Sequence, residues 1–338
     1  MRPSGERAAR WKGWLSAIVK VVVSVGLLWW IIGRGQVDLK DIVRQWLGMD
    51  GAWLVPAGLM MALATVLGLA RWWLLLKARG LKVSFGEACA IGMIGNFFIV
   101  FSIGVVGGDL ARVVYVVRHQ PDRKTEAILS IVADRVLGVL GLCIVALLVV
   151  PANWALITSN PETRALVWTM ILMLGGVLVA VFLEVPGPWR RWLAVMDRLP
   201  LRETRGRLGR ALGAYFRDWR TTVLALAMSA AIHALFVVMW YCVIRALHLK
   251  TGFGFVAGMV PIVNTATSIP VTISGFGVRE AVLGLFFRSA GMTDGQAVAT
   301  SLTVWGLMAA VALVGGAIYI VYRIPVKKSG LAQTESAV

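Results

Sequence analysis

The chain has 338 residues, 59% of them hydrophobic, with a mean hydropathy of +0.79 and a formal net charge of +17. Several apolar runs reach the length of a membrane-spanning helix, and nothing resembles the alternating short strands of an outer-membrane barrel. The basic residues lie between apolar runs rather than in a soluble domain, which excludes a nucleic-acid-binding module and points to anionic lipid surfaces.

Residues 1–13 form a basic tail with Arg2, Arg7, Arg10 and Lys12. Trp14 to Ile32 is an apolar run of 19 residues. It is long for a signal peptide and lacks a small-residue cleavage site, so it is expected to remain as the first span. In VDLKDIVRQWLGMD, residues Leu39, Ile42, Val43, Trp46 and Leu47 share one helical face, which predicts a short amphipathic helix at the far interface. Ala52 to Leu76 is the second span, with Arg71, Lys77, Arg79 and Lys82 towards its end. A first broken segment, Phe85 to Arg118, precedes a basic loop with Arg123 and Lys124.

Ala127 to Val150 is a span that carries Asp134 and Arg135 about two turns inside its start. Residues 151–162 read as a polar loop without Lys or Arg, and Ala165 to Leu183 as another span. Residues 184–220 carry nine arginines and no lysine. Their apolar residues fall at helical spacing, as two amphipathic helices on an anionic leaflet or, alternatively, a solvated linker. Val223 to Ile244 is a span with His233, read as a packing or interhelical hydrogen-bonding residue. A second broken segment, Phe253 to Phe287, and a last span, Val298 to Tyr322, lead to a polar tail at 324–338. Cys89, Cys143 and Cys242 all sit in apolar runs without metal-ligand spacing, so they are packing residues and no cofactor is implied.

The two broken segments organise the chain. NTATSIPVTISGFGVREA begins at Asn264 and is interrupted by Pro270, Gly275 and Gly277, directly before Arg279 and Glu280. NFFIVFSIGVVGGDLAR begins at Asn96 and is interrupted at Gly107 and Gly108, directly before Asp109 and Arg112. Aligning Asn96 with Asn264 sets Gly107 on Gly275 and Arg112 on Glu280. Irregular backbone at membrane depth survives only when buried in protein or lining a wet cavity. Paired interruptions in corresponding halves are the sequence pointer to a transporter site.

Charge parity gives the topology. The arginine-rich loop and both basic termini belong in the cytoplasm. One crossing by the first broken segment would place 184–220 outside. Two crossings would leave a second limb of 12 residues from Gly107 to Arg118, about 18 Å of helix, too short for a core of roughly 30 Å. A re-entrant hairpin satisfies both constraints. The expected fold is an all-α polytopic membrane protein with six full spans and two re-entrant hairpins, at 84–118 and 252–290. They form inverted repeats within one transmembrane domain, 14–323, whose hairpin tips meet near the midplane.

The candidate substrate site combines Asp109, Arg112, Asp134, Arg135, Arg279 and Glu280 with Asn96, Asn264, Thr272, Ser274 and the glycines 107, 108, 275 and 277. Arginine forks bind phosphate bidentately, and carboxylates neutralise them or receive a cationic head group. The bland alternative is that these charges pair to hold the hairpins together. Adjacent helical residues point about 100° apart, so Arg279 is expected to need an anion other than Glu280. Arg279→Lys is then expected to fold yet lose lipid translocation. No nucleophile elbow, phosphate-binding glycine loop, HExxH or CxxC motif is present.

GGDLARVVYVVRH, ADRVLGVLGL and SGFGVREA resemble the transmembrane domain of the lysylphosphatidylglycerol synthase/flippase family, over about residues 15 to 323. The resemblance implies an inner-membrane, flippase-like protein that moves a phospholipid or lipid-linked substrate. Its motif positions here are Gly107, Gly108, Asp109, Arg112, Arg135, Gly275, Gly277, Arg279 and Glu280. The family's two-domain members carry a C-terminal synthase domain. This sequence stops at Val338, so synthase activity is not expected. Expected partners are anionic or zwitterionic membrane lipids, with room for a homo-oligomer and a separate lipid-synthesising enzyme. A membrane-embedded lipid-modifying enzyme and a non-transporting scaffold stay as alternatives.

Overall fold

The computed structural model describes residues 39–102, 105–184, 218–268 and 275–322, and all regular structure among them is helical. An amphipathic helix α1 (Leu39–Leu47) precedes α2 (Gly51–Ala78), which Asp50 caps by accepting the Ala52 N–H at 2.8 Å. Then come α3 (Phe85–Phe101), α4 (Val105–His119), α5 (Lys124–Ala152) and α6 (Pro161–Glu184). The second half contains α7 (Trp219–Ala246), α8 (Phe253–Ser268), α9 (Val278–Ser289) and α10 (Asp294–Val321).

Among the described residues, four helical stretches are long and apolar enough to cross a membrane: α2, Pro121–Ala152 with α5, α7 and α10. At 28 residues, α2 is about 42 Å long, beyond the roughly 30 Å of a hydrocarbon core. Helix α6 has 24 residues, about 36 Å by the same rise. The expected first span at 14–32, most of the arginine-rich loop (185–217) and the polar tail lie outside the described residues.

Helix α1 packs one face on α10. Ile42 is buried against Val298 and Ala299 of α10, and Trp46 Nε1 donates to Thr303 Oγ1 at 3.1 Å, while Leu47 is exposed. The polar loop expected at 151–162 is shorter than its composition suggested. Helix α5 continues through Pro151, and a helical turn follows at Trp154–Ile157. The polar side chains fold back onto that backbone: Asn153 Nδ2 donates to Val149 O and Thr158 Oγ1 to Trp154 O, both at 2.8 Å.

Both broken segments are helical hairpins. In the first, Gly108 of α4 sits on Gly95 of α3, Arg112 reaches back to Gly92 and Asn96, and His119 meets Glu87 at the open end. A Cβ on Gly108 would fall 2.5 Å from the Gly95 carbonyl, so only glycine permits this approach. In the second, Gly275 packs on Thr267 beside the tip, and Phe255 faces Phe286 near the open end at 6.3 Å.

The halves repeat at a constant spacing. Helix α2 starts at Gly51 and α7 at Trp219; α3 starts at Phe85 and α8 at Phe253; each pair is 168 residues apart. Individual features share that spacing. Trp72 and Trp240 are both buried, and Gly80 and His248 both have positive φ just after the helix end. The edge-to-face pair Trp73–Phe85 at 5.4 Å recurs as Tyr241–Phe253, also at 5.4 Å. Packing follows the same exchange: α10 lies on α3 of the first hairpin, and α5 lies on α8 of the second. Helices α2 and α7 pack antiparallel, since Asp50 N donates to Ala246 O while Arg71 meets Ser229.

Candidate functional site

The first hairpin carries a guanidinium that its own fold does not neutralise. A capping box starts α3, with Ser84 N donating to Glu87 Oε2 at 2.8 Å and Glu87 N to Ser84 Oγ at 3.3 Å. Three turns on, the Arg112 side chain lies across Gly95, where an added Cβ would come 2.6 Å from its Nε. Arg112 Nη2 donates to Asn96 Oδ1 at 2.8 Å and to Gly92 O at 3.5 Å. Its Nε is buried without a partner, and its Cζ stands 5.4 Å over the Trp72 ring.

Helix α5 brings Asp134 and Arg135 to the same place. Asp134 Oδ1 accepts from Arg71 Nε at 2.8 Å, and Arg71 Nη1 donates to Ser229 Oγ at 2.7 Å. Arg135 holds Asp109 with a fork, Nε to Oδ2 at 2.9 Å and Nη2 to Oδ1 at 2.5 Å. These groups surround a cavity of about 310 Å³ lined by Arg71, Asn96, Arg112, Asp134 and Arg135, with apolar walls including Met61, Phe236 and Met308. That volume is at the small end of the range of ligand-binding cavities. His233, which does not line the cavity, donates from Nε2 to Gly138 O at 3.0 Å, a contact between α7 and α5.

Sequence reasoning took Arg71 only as a basic flank of its span. It sits seven residues before the end of α2, about 10 Å inside. That close to the end of a 28-residue helix an arginine reads as an ordinary flank, so no local signal set it apart.

The second hairpin closes on itself. Gly275 and Gly277 have φ of 78° and 85°, values that favour glycine. This turn lets the Gly277 N–H donate to Glu280 Oε2 at 2.6 Å. Arg279 Nε donates to Ser301 Oγ at 2.5 Å, the Ser301 hydroxyl donates to Glu280 Oε1, and Arg279 Nη2 lies 3.5 Å from that same oxygen. Arg279 and Glu280 are 4% and 2% exposed. Arg279 was expected to need an anion other than Glu280; among the described residues its direct approach to Glu280 is 3.5 Å, and the neutral Ser301 of α10, which sequence reasoning did not single out, bridges the two.

Asn96, Asp109, Arg112, Asp134 and Arg135 are thus brought together with Gly107 and Gly108, which lie in the first turn of α4. Gly275, Gly277, Arg279 and Glu280 form a separate group that does not line the cavity. Asn264 is half-buried near the end of α8, where its carbonyl accepts from the Ser268 hydroxyl at 2.7 Å. Thr272 and Ser274 lie outside the described residues. The two hairpins approach through Trp305 of α10, whose ring meets Phe101 at 6.2 Å and Phe276 at 5.4 Å. A second cavity of about 190 Å³, between α5, α6 and α8, is lined by apolar residues such as Val150, Met170 and Ile262, and its lining includes no ionisable residue besides Cys143.

Compared with known families, residues 17–316 match the one described as Lysylphosphatidylglycerol synthase TM region. No curated protein matches the chain.

Proposed function

We propose, from the premise that this multi-pass helical membrane protein belongs to the lysylphosphatidylglycerol synthase transmembrane-region family, that it binds a phospholipid or lipid-linked substrate and passes it between leaflets. The phosphate is received beside the first hairpin. One observation carries this reading: a buried arginine, Arg112, lines a cavity with largely apolar walls and has no carboxylate of its own among the described residues. Arg71 and Arg135 flank the position, so a phosphodiester there meets up to three guanidinium groups.

The repeat supports the transport mechanism. Equivalent helices α2 and α7 run antiparallel, as inverted repeats require, and the hairpins approach across Trp305, the twelfth residue of the 28 in α10. The hairpin helices have 17, 15, 16 and 12 residues, about 18–26 Å each, so none spans a roughly 30 Å core alone. Both hairpins are re-entrant in this reading, with six full spans and cytoplasmic termini in a bacterial-type inner membrane. Single cysteines at positions 120 and 200 are expected to label from one side of the membrane and a cysteine at 160 from the other. Labelling of 120 and 200 from opposite faces excludes the re-entrant arrangement.

The functional test is lipid exchange in reconstituted vesicles, with fluorescent phosphatidylglycerol added to one leaflet. Wild-type protein is expected to move it without forming a new lipid species, as a transporter rather than an enzyme does. Arg112→Ala is expected to slow movement at least about tenfold, one lost charge-assisted contact. Arg112→Lys keeps the charge but loses the fork, and is expected to fall between them. A folded Arg112→Ala protein that moves lipid at the wild-type rate removes the phosphate-binding role.

A further inference from the structure

The charge around the cavity does not balance, and the imbalance selects a substrate. Three arginines and two aspartates meet there. Arg71 pairs with Asp134 at 2.8 Å and Arg135 with Asp109 at 2.5 Å, so each carboxylate is already held by a cation. Arg112 forms no ion pair among the described residues; its acceptors there are the neutral Asn96 amide and the Gly92 carbonyl. It is 7% exposed, and its Nε is buried without a partner. An uncompensated guanidinium in such surroundings is costly, and a bound anion removes that cost.

We infer that the cavity selects a monoanionic phosphodiester head group, one whose phosphate is its only charge, over zwitterionic and cationic head groups. The inference rests on reading the cavity as the lipid phosphate site, and it decides among the lipids that reading leaves open. One negative charge cancels the single surplus positive charge. A zwitterionic lipid offers the same phosphate but adds an ammonium, and both carboxylates that could receive it are engaged by Arg71 and Arg135. A head group carrying a lysyl ester adds a further positive charge and is disfavoured more strongly. The preference therefore arises from what is already paired in the cavity, not from the arginines alone.

Asn96 provides the sharpest test. Its Oδ1 already accepts from Arg112 Nη2 at 2.8 Å, so Asn96→Asp gives Arg112 a carboxylate partner with almost no change of shape. Purified protein in neutral detergent is titrated with short-chain phosphatidylglycerol, phosphatidylethanolamine and lysylphosphatidylglycerol, with inorganic phosphate as a competitor. Wild-type protein is expected to bind phosphatidylglycerol about tenfold or more tighter than phosphatidylethanolamine, the range of one charge-assisted contact, and the lysyl lipid more weakly still. Asn96→Asp is expected to fold as well as wild type and to lose that preference, the ratio falling to about one. Should it not fold, Arg112→Gln gives the same readout.

An Asn96→Asp protein that keeps the tenfold preference overturns the inference, as does equal binding of phosphatidylglycerol and phosphatidylethanolamine by wild type. Displacement of the lipid by inorganic phosphate at matching concentrations marks a site for the free anion and overturns the lipid assignment. Vesicle assays separate this from the broader reading. Anionic preference in binding without lipid movement removes translocation and leaves the selectivity. Equal movement of both lipids, unchanged by Asn96→Asp, removes the selectivity and leaves translocation.

Discussion

Asp134→Asn is expected to cost about 3–5 kcal/mol of stability, the usual range when one partner of a buried ion pair is removed. Asparagine matches aspartate in shape and still accepts a hydrogen bond from Arg71, so the loss isolates the charge. Asp134 and Arg71 are 4% and 9% exposed, and little solvent is available to replace the carboxylate. The change leaves Arg71, Arg112 and Arg135 around one cavity with only Asp109 opposing them. Thermal unfolding in detergent, with membrane expression in parallel, reads the effect. Replacing both partners, Arg71→Met with Asp134→Leu, is expected to recover most of the loss, because a well-packed apolar pair often equals a buried ion pair. Ser229 tolerates the exchange, since its hydroxyl also bonds the Ala225 carbonyl at 2.7 Å. Asp134→Asn unfolding within about 1 kcal/mol of wild type would show that Asp134 does not carry the neutralisation of Arg71.

How much of this was legible in the sequence depended on whether a residue broke a local rule. The hairpins did: Asn96, Gly107 and Gly108, and Asn264, Gly275 and Gly277, interrupt apolar runs, and the glycines stand beside charges. Asp134 and Arg135 stood out for the same reason. Aligning Asn96 with Asn264 already set the 168-residue spacing that α2 and α7 obey. The alignment weakens at the tips, because α4 resumes at Val105 and α9 only at Val278. Arg112 therefore stands in the second turn of its helix, whereas Glu280 stands in the first and caps its own turn. Arg71 and Ser301 were not legible as site residues. A serine in an apolar helix breaks no rule, and an arginine near a span end looks like an ordinary flank. Their importance lies in what faces them across the bundle, which no local pattern encodes.

Glu280→Gln is expected to destabilise the second hairpin by a similar or larger amount, about 3–5 kcal/mol. The Glu280 side chain has no exposure, and its carboxylate accepts from the Gly277 N–H, the Ser301 hydroxyl and the more distant Arg279. Glutamine can serve Ser301 with its single oxygen, but its amide group then meets the Gly277 N–H, setting donor against donor. Arg279, 4% exposed, is left without a counter-charge. Ser301→Ala removes the bridge but keeps both charges, so about 1–3 kcal/mol is expected, the cost of buried polar groups left without their partner. This ordering bears on Arg279 itself. Its fork is already engaged by Ser301 and Glu280, so Arg279→Lys is now expected to act mainly on stability, with lipid movement per folded molecule changing less than in Arg112→Ala. Unfolding curves and vesicle assays on the same preparations separate the two effects. A stable Arg279→Lys protein that no longer moves lipid would return Arg279 to the transport path and require the second hairpin to open during each cycle.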